Sequence, residues 1–279
     1  MQTKLFLQTT KTNKLKTIMQ KRLLSIAIAI LCLLVALPAS AAFTKREFRG
    51  SWISNAWALD WPKDDNGNAI YGKTDAAQAN QKAALIKILD NLKQNGFNVA
   101  FFQVRSFCDA AYPSNYAPWT SYISGTRGVS PGWDPLAFAV EEAHKRGIEL
   151  HAWLNPYRWA NSTDHSFWST ENDTYWESKG YLITTDAETS GKPGGITTLD
   201  PGNWDVTVHI VNVVKEICTN YKVDGIVFDD YFYPDYYDKN ASTTTKHQYR
   251  ANVNEMVRQV YIAIKNTRPE ARFGISRQA

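Results

Sequence analysis

Short apolar segments alternate with longer segments of helical periodicity over most of this chain. Five apolar segments predict β-strands, at residues 48–54, 97–104, 148–154, 223–228 and 272–276. The four segments between them carry apolar residues at helical spacing, at about 75–95, 135–147, 204–221 and 245–267. This alternation of strand and helix is typical of a parallel sheet with helical crossovers.

Residues that favour helix ends support these boundaries. Thr74 and Asp75 are suited to cap the start of the first helix, and Gly96 can adopt the positive φ that ends it. Pro135 stands at the favoured first-turn position of the second helix. The predicted helices therefore begin and end where the local chemistry allows.

The loops differ in length on the two sides of the predicted sheet. Each long loop, rich in polar and aromatic residues, follows a strand, whereas each turn after a helix is short. This asymmetry is the signature of a (β/α)8 TIM barrel, whose functional loops follow the strands. A doubly wound sheet is the alternative, but no glycine-rich phosphate loop follows the first strand.

The number of strands limits the barrel prediction. A TIM barrel has eight strands, whereas the pattern yields five before Ala279. We therefore expect one α/β domain of the TIM-barrel type over residues 42–279, truncated after about five strands and incomplete at its C-terminus.

The N-terminal segment has the three parts of a secretory signal. Lys21 and Arg22 precede an apolar run at 23–37, which is too short to span a bilayer comfortably, and small residues follow at 38–41. We predict a signal peptide over residues 1–41, cleaved near Ala41, and hence export to the periplasm, the outer surface or the medium. A retained membrane anchor is the alternative.

Charge and cysteine content exclude several kinds of partner. The chain carries a net charge of +4, but residues 1–41 hold six basic and no acidic residues, which leaves 25 basic and 27 acidic residues beyond them. That balance predicts no nucleic-acid partner, and we expect no transmembrane segment in the mature chain. Cys108 and Cys218 lack metal-ligand spacing, so we predict no metal and no cofactor; a disulfide and core packing both remain open for them.

The segment 223–234 combines a buried strand with candidate catalytic groups. Its apolar run ends in Asp229 and Asp230, and two carboxylates are costly to bury unless they are paired. Because ligands bind at the carboxyl ends of parallel strands, we predict that both aspartates are catalytic residues in a pocket. A turn cap is the alternative. Side chains alternate along a strand, and the pattern alone leaves open which aspartate faces the barrel interior.

Other polar and aromatic residues fall at or near the predicted strand ends and in the loops that follow. We expect these to bind substrate: Arg49, Trp52, Arg105, Asp109, Tyr112, Trp153, Asn155, Tyr157, Arg158, Asp200 and Tyr231. Acids, arginines and aromatic rings on one rim suit a carbohydrate, because carboxylates act at the anomeric carbon and rings stack on sugars. A structural ion pair for Arg105 and a simple turn for Asp200 remain open.

Six ordered motifs resemble a known family. They are Glu-Phe-Arg-Gly-Ser-Trp at 47–52, Phe-Gln-Val-Arg at 102–105, Asp-Ala-Ala-Tyr-Pro-Ser at 109–114, His-Ala-Trp-Leu-Asn-Pro-Tyr-Arg at 151–158, Leu-Asp-Pro-Gly at 199–202 and Asp-Gly-Ile-Val-Phe-Asp-Asp-Tyr-Phe-Tyr-Pro at 224–234. Together they resemble the glycosyl-hydrolase-like 10 family, exported bacterial proteins with a TIM-barrel catalytic domain. The resemblance covers residues 47–276.

The resemblance implies an exported glycoside hydrolase, with members linked to the bacterial envelope and to peptidoglycan glycan strands. By analogy with amylase-like barrels it places the nucleophile of a retaining mechanism at Asp229. The proton donor of those barrels follows strand four, and none is evident before Ala279. In chitinase-type barrels the acid is a glutamate at the position of Tyr231, so their mechanism is not implied.

Two functions of other classes remain open. A non-catalytic glycan-binding barrel keeps the aromatic residues and lacks an acid, and an envelope scaffold protein needs neither. Turnover of a glycan distinguishes the glycoside hydrolase from the glycan-binding barrel and from the scaffold protein.

Overall fold

The computed structural model describes residues 47–166, 168–190, 193–230, 232 and 242–276. In chain order the strands are β1 (Gly50–Ile53), β2 (Val99–Arg105), β3 (Glu149–Leu154), β4 (Arg158–Ala160), β5 (Leu182–Thr185), β6 (Ile196–Leu199), β7 (Gly225–Phe228) and β8 (Arg272–Ile275). The helices are α1 (Asp75–Gln94), α2 (Ser121–Ser124), α3 (Pro135–Lys145), α4 (Glu171–Ser178), α5 (Ala187–Ser190), α6 (Trp204–Asn220) and α7 (Thr243–Thr267), with a 3-10 turn at Ala56–Ala58.

The main sheet contains the five predicted strands. They pair in parallel in the order β1-β2-β3-β7-β8, with α1, α3, α6 and α7 as the crossovers. This is the arrangement of five consecutive strands of a (β/α) barrel, which confirms the predicted fold class. The predicted strand and helix ends agree with the structure to within a few residues.

Local chemistry explains where the helices begin. The Thr74 hydroxyl accepts a hydrogen bond from the Ala77 N–H, as predicted for the cap of α1. Asp134 caps α3 in the same way, directly before Pro135 at the first helical position. Each cap satisfies a backbone donor that has no partner within the helix.

The segment between β3 and α6 was predicted as a loop, and there the structure differs. It holds a small antiparallel sheet in the order β4-β6-β5, together with α4 and α5. Its strands have three or four residues, too few for a periodicity signal, yet every residue of β6 is buried. Burial in the fold therefore determines these strands more than local sequence preference does.

The two faces of the main sheet have different surroundings. One face is packed against the crossover helices, and most of its side chains on the central strands are buried. Six of them are at most 1% exposed: Ile53, Phe102, Leu150, Leu154, Ile226 and Phe228. The opposite face, here called the inner face, carries Trp52, Phe101, His151 and Trp153. Because barrel helices lie outside the strands, the inner face corresponds to the barrel interior.

Two further findings bear on the predictions. In the part of the chain that the structure describes, no helix combines the length and apolar character needed to cross a bilayer. Cys108 and Cys218 are both buried free thiols, so the core-packing alternative holds for them. The predicted signal peptide at 1–41 lies outside the described residues.

We predict that Gly225→Ala destabilises the protein. A Cβ at Gly225 would lie 2.5 Å from Nδ1 of the buried His151 ring on the neighbouring strand, so the ring or a strand must shift. Overpacking of this kind costs about 1–3 kcal/mol, and urea unfolding should show the loss as a lower midpoint at constant m-value.

Gly274→Ala is the matched control for this variant. Gly274 pairs with Val227 on the adjacent strand, and a Cβ there would meet its nearest atom at an ordinary 3.8 Å. Stability should be unchanged or slightly higher, because alanine restricts the unfolded chain. Equal midpoints for the two variants would contradict the close packing of Gly225 on His151.

Candidate active site

Four strands of the main sheet end in polar residues at the same edge, here called the carboxyl edge. Ser54 and Asn55 follow β1, Arg105 closes β2, Asn155 follows β3, and Asp229 follows β7. Parallel strands bring these ends together, which is why ligand sites of α/β proteins form there.

The side chain of Gln103 ties three of these strand ends together. Its Oε1 accepts hydrogen bonds from Ser54 Oγ at 2.8 Å and from the backbone N–H groups of Asn55 and Ala56 at 3.1 Å each. Its Nε2 donates to Asn155 Oδ1 at 2.9 Å. Gln103 is 1% exposed, so this network fixes β1, β2 and β3 at the carboxyl edge without help from solvent.

Two asparagines beside Gln103 keep polar atoms that bond to no described group. Asn55 Oδ1, Asn55 Nδ2 and Asn155 Nδ2 are all buried and lack a hydrogen-bond partner among the described residues. Such atoms are costly in a folded protein and call for a functional or structural reason. The carboxyl edge therefore contains amide atoms without hydrogen-bond partners among the described residues. Amide groups can bind hydroxyl and amide groups of a ligand.

The end of β7 resolves which aspartate faces inward. Val227 pairs with Trp153 on the inner face, and strand alternation puts Asp229 on that same face, level with Asn155. The Asp229 N–H donates to the Leu154 carbonyl at 3.1 Å, which continues the pairing of β7 with β3. Asp229 is half-buried and stands at the top of the inner face.

Asp230 leaves the strand instead of continuing it. Its φ is 62°, a conformation that non-glycine residues adopt at a cost, and its carboxylate accepts a hydrogen bond from Arg158 Nη1 at 2.8 Å. The two aspartates therefore have different surroundings, with Asp229 on the pleat of the sheet and Asp230 in an ion pair.

Arg158 connects this ion pair to an aromatic cluster. Its Nε donates to the Ser106 carbonyl at 2.8 Å, and its guanidinium carbon lies 4.3 Å from the centre of the Phe107 ring and 5.8 Å from that of Trp57. Arg158 is 5% exposed. A buried guanidinium held by an acid, a carbonyl and a ring is an effective anchor for the end of β7.

Arg105 points away from the inner face. The register of β2 against β3 shifts by one residue between Gln103 and Arg105, so Arg105 pairs with Leu154 on the helix side. Its Nη2 lies 3.2 Å from Nε2 of His209 on α6. Burial, assisted by the Arg105 charge, lowers the pKa of His209 to about 3, so the neutral ring accepts from Arg105. Arg105 thus contacts His209 of α6, and its predicted contact with substrate stays a prediction.

Asp109 is committed to its own loop. Its Oδ1 accepts hydrogen bonds from the N–H groups of Ser106 and Phe107, at 2.8 and 2.9 Å. The buried Arg127 lies 3.9 Å from its Oδ2 and forms two hydrogen bonds to Asp173 of α4. Although burial opposes it, Arg127 holds the pKa of Asp173 below its usual value. Asp109 therefore shapes the loop after β2.

Three further predicted residues have described contacts that are structural. Arg49 precedes β1 at the opposite edge, where its Nε donates to the Gly96 carbonyl after α1. Tyr112 is buried and packs edge-on against Tyr221 at the end of α6. Asp200 accepts from the Gly202 N–H in the turn before α6, so the turn alternative describes its contacts.

The remaining predicted residues have clear positions, with one exception. Trp52 and Trp153 lie on the inner face below the carboxyl edge, with ring centres 4.9 Å apart. Tyr157 is fully buried, and its carbonyl accepts from the Leu199 N–H of β6. Tyr231 lies outside the described residues.

Sequence reasoning missed three residues of this edge: Asn55, Gln103 and Trp57. Asn55 follows the first strand as Asn155 follows the third, and this shared position is a signal in the sequence. Gln103 stands inside an apolar strand pattern on the side that faces the barrel interior, which is the second signal. Trp57 offers no comparable signal, since it is one of 10 tryptophans.

Comparison with known proteins shows which family the chain is similar to. The chain matches the family model described as "Glycosyl hydrolase-like 10" over residues 47–279. It is 34% identical over 251 residues to glycosyl hydrolase DigH of Escherichia coli K12, covering 86% of this chain and 57% of DigH. It is 33% identical over 269 residues to glycosyl hydrolase YngK of Bacillus subtilis strain 168, covering 91% and 49%. The chain spans about half the length of the curated relatives it matches.

Among solved structures, the fold is similar to that of α-L-fucosidase isoenzyme 2 from Paenibacillus thiaminolyticus. The TM-score is 0.53 at 14% sequence identity, over 82% of this chain and 32% of the fucosidase. At that identity the likeness concerns the fold, and it agrees with a partial TIM barrel. The family match over nearly all the described residues, with two relatives above 30% identity, settles the classification: this chain belongs to the glycosyl hydrolase-like 10 family.

Proposed function

We propose that this protein is an exported glycoside hydrolase whose reacting sugar binds at the carboxyl edge, with Asp229 as the nucleophile. The observation that carries the proposal is the position of Asp229. It directly follows β7 on the inner face, level with Asn155, whose buried Nδ2 has no hydrogen-bond partner among the described residues. Family membership favours a glycoside as the substrate class.

The surroundings of Asp229 suit a nucleophile of a retaining mechanism. Its carboxylate would attack the anomeric carbon, and the leaving oxygen would take a proton from a second carboxylic acid. Water would then cleave the covalent glycosyl–enzyme ester and release the sugar with its configuration retained. The amide of Asn55 and the Nδ2 group of Asn155 would hydrogen-bond sugar hydroxyls and hold the ring for this attack.

Asp230 has a different role in this proposal. Its carboxylate is bound by Arg158, and its backbone turns out of the strand. It therefore orients the strand end that carries Asp229, and it is not the attacking group. Arg158 supports the same end from the loop after β3, with Phe107 beneath it.

Export and substrate source complete the proposal. The N-terminal pattern of residues 1–41 supports secretion, and the resemblance to envelope-linked family members favours a bacterial envelope glycan, with peptidoglycan strands as the first candidate. Release of reducing ends from a panel of glycans that includes peptide-free peptidoglycan strands tests the substrate class directly.

We predict that Asp229→Asn abolishes turnover in the full-length gene product. Asparagine keeps the size of the side chain and removes the attacking charge. The expected loss in kcat is at least about 10³-fold, with the affinity for the glycan largely kept. Reducing-end release and glycan binding, measured on the same preparation, check both parts. A fully active Asp229→Asn protein would refute the mechanism.

Asp224→Asn at the other end of the same strand should have the opposite effect. The Asp224 carboxylate accepts from the Leu150 N–H at 2.7 Å and lies 2.8 Å from His144 Nε2, so it joins β7 to β3 and α3. We expect a lower melting temperature and normal kcat per folded molecule, because the carboxyl edge is untouched. A loss of kcat as large as that of Asp229→Asn would show that turnover reports strand integrity alone.

Export is tested by the mature N-terminus. Mass spectrometry of the protein recovered from the envelope or the medium should find a chain that begins near Ala42. A chain in the envelope fraction that still begins at Met1 or Met19 would point to the retained anchor instead.

A further inference from the structure

We propose that Trp57 is the stacking platform of a second sugar-binding subsite, adjacent to the one that contains Asp229. Its ligand is a pyranose ring of an oligosaccharide or polysaccharide chain, one unit or more from the bond that is cleaved. This inference rests on the proposed function and adds to it a preference for polymeric substrate.

The first observation is the exposure of Trp57. Half of its surface is accessible, although it lies in the short turn directly after β1. Its ring meets Phe107 edge to face at 5.2 Å and Tyr122 at 6.1 Å, so neighbouring rings hold its position. An indole that is both fixed and open offers a rigid flat surface at low entropic cost.

The second observation is backbone strain. Trp57 has a φ of 53° and Ala58 a φ of 48°, both in the left-handed region that L-residues disfavour. This backbone conformation leaves half of the Trp57 side chain exposed, while Ala58 beside it is fully buried. Trp61 shows the contrast: it is fully buried, and its Nε1 donates to the Gln81 carbonyl at 2.9 Å. Strain that brings a large ring outward points to a role in binding.

The third observation is the distance to the reacting site. Arg158 links Trp57 to the residue after Asp229: its guanidinium lies 5.8 Å from the Trp57 ring centre and hydrogen-bonds the Asp230 carboxylate. Trp57 and Asp230 therefore lie on either side of one guanidinium, and Asp229 directly precedes Asp230 in the chain. A sugar on Trp57 and a sugar at Asp229 would be near neighbours in one glycan.

The chemistry of the ring selects the ligand. The axial C–H groups of a pyranose form an apolar face that packs against an aromatic face, whereas its hydroxyls remain directed to polar groups and water. Binding energy gained away from the reacting bond holds the polymer in place. Trp57 should therefore affect polymeric substrates and leave short ones unchanged.

Trp57→Gly separates this role from a structural one. Glycine adopts positive φ without strain, so the melting temperature should be unchanged or higher. Affinity for polymeric glycan should fall about tenfold or more, as loss of an aromatic contact predicts. KM for the polymer should rise with it, whereas kcat and KM for a 4-nitrophenyl glycoside of a single sugar should stay the same.

Two further variants serve as controls. Trp57→Phe keeps a flat ring and should retain most of the polymer affinity. Tyr261→Ala removes a ring that is 51% exposed on α7, away from the carboxyl edge, and should change neither affinity nor KM. The probes are amylose, chitin and peptide-free peptidoglycan strands, assayed by co-sedimentation or affinity electrophoresis well below the melting temperature.

The outcomes are separable. Wild-type polymer affinity in Trp57→Gly, or a lower melting temperature with unchanged affinity per folded molecule, would overturn the assignment and leave the proposed function intact. If the wild-type protein neither binds nor cleaves any glycan of the panel, the proposed function fails and the subsite fails with it. Loss of polymer affinity in Trp57→Gly, with turnover of the short glycoside kept, supports both.

Discussion

The amide of Gln103 is the contact on which the carboxyl edge depends. One buried side chain accepts from Ser54, Asn55 and Ala56 and donates to Asn155, so the ends of β1, β2 and β3 hold fixed positions relative to one another. β7 then aligns on β3 through the Asp229 N–H. The mechanism proposed for Asp229 would require its carboxylate to be held to within a fraction of an ångström, and a network of this kind provides that precision more reliably than loops do.

The same edge contains most of the unfavourable features of the fold. The described non-glycine residues with positive φ are Trp57, Ala58, Cys108 and Asp230, and all of them follow strands of the main sheet at their carboxyl ends. Each costs of the order of 1–3 kcal/mol, and the unbonded amide atoms of Asn55 and Asn155 add to that cost. The apolar layer between the sheet and its helices offsets these costs. Strain and unsatisfied groups that gather at one edge are typical of a functional site.

The sequence predicts the frame of this protein better than the orientation of its side chains. Apolar periodicity, Thr74 and Pro135 place the five parallel strands and the crossover helices, because these features are local. The turn of Arg105 toward His209 depends on a one-residue register shift in β2, which no local pattern encodes. Arg49 lies at the opposite edge because it begins its strand and does not end it. The short strands β4 to β6 depend on burial against the rest of the chain, which periodicity does not report.

The inner face explains why a carboxylate at the end of β7 has an unusual environment. Small residues oppose large rings across it: a Cβ at Gly50 would lie 2.5 Å from the Phe101 ring, and one at Gly225 equally close to His151. The strands therefore approach closely, and Trp52, Phe101 and Trp153 fill the space below Asn155 and Asp229. In the proposed mechanism, this apolar floor would strengthen the interaction between a charge on Asp229 and developing positive charge on a sugar. The polar groups at the carboxyl edge and the aromatic rings below them therefore depend on each other. Gly50 and Gly225 allow the rings to pack closely under the Asp229 carboxylate.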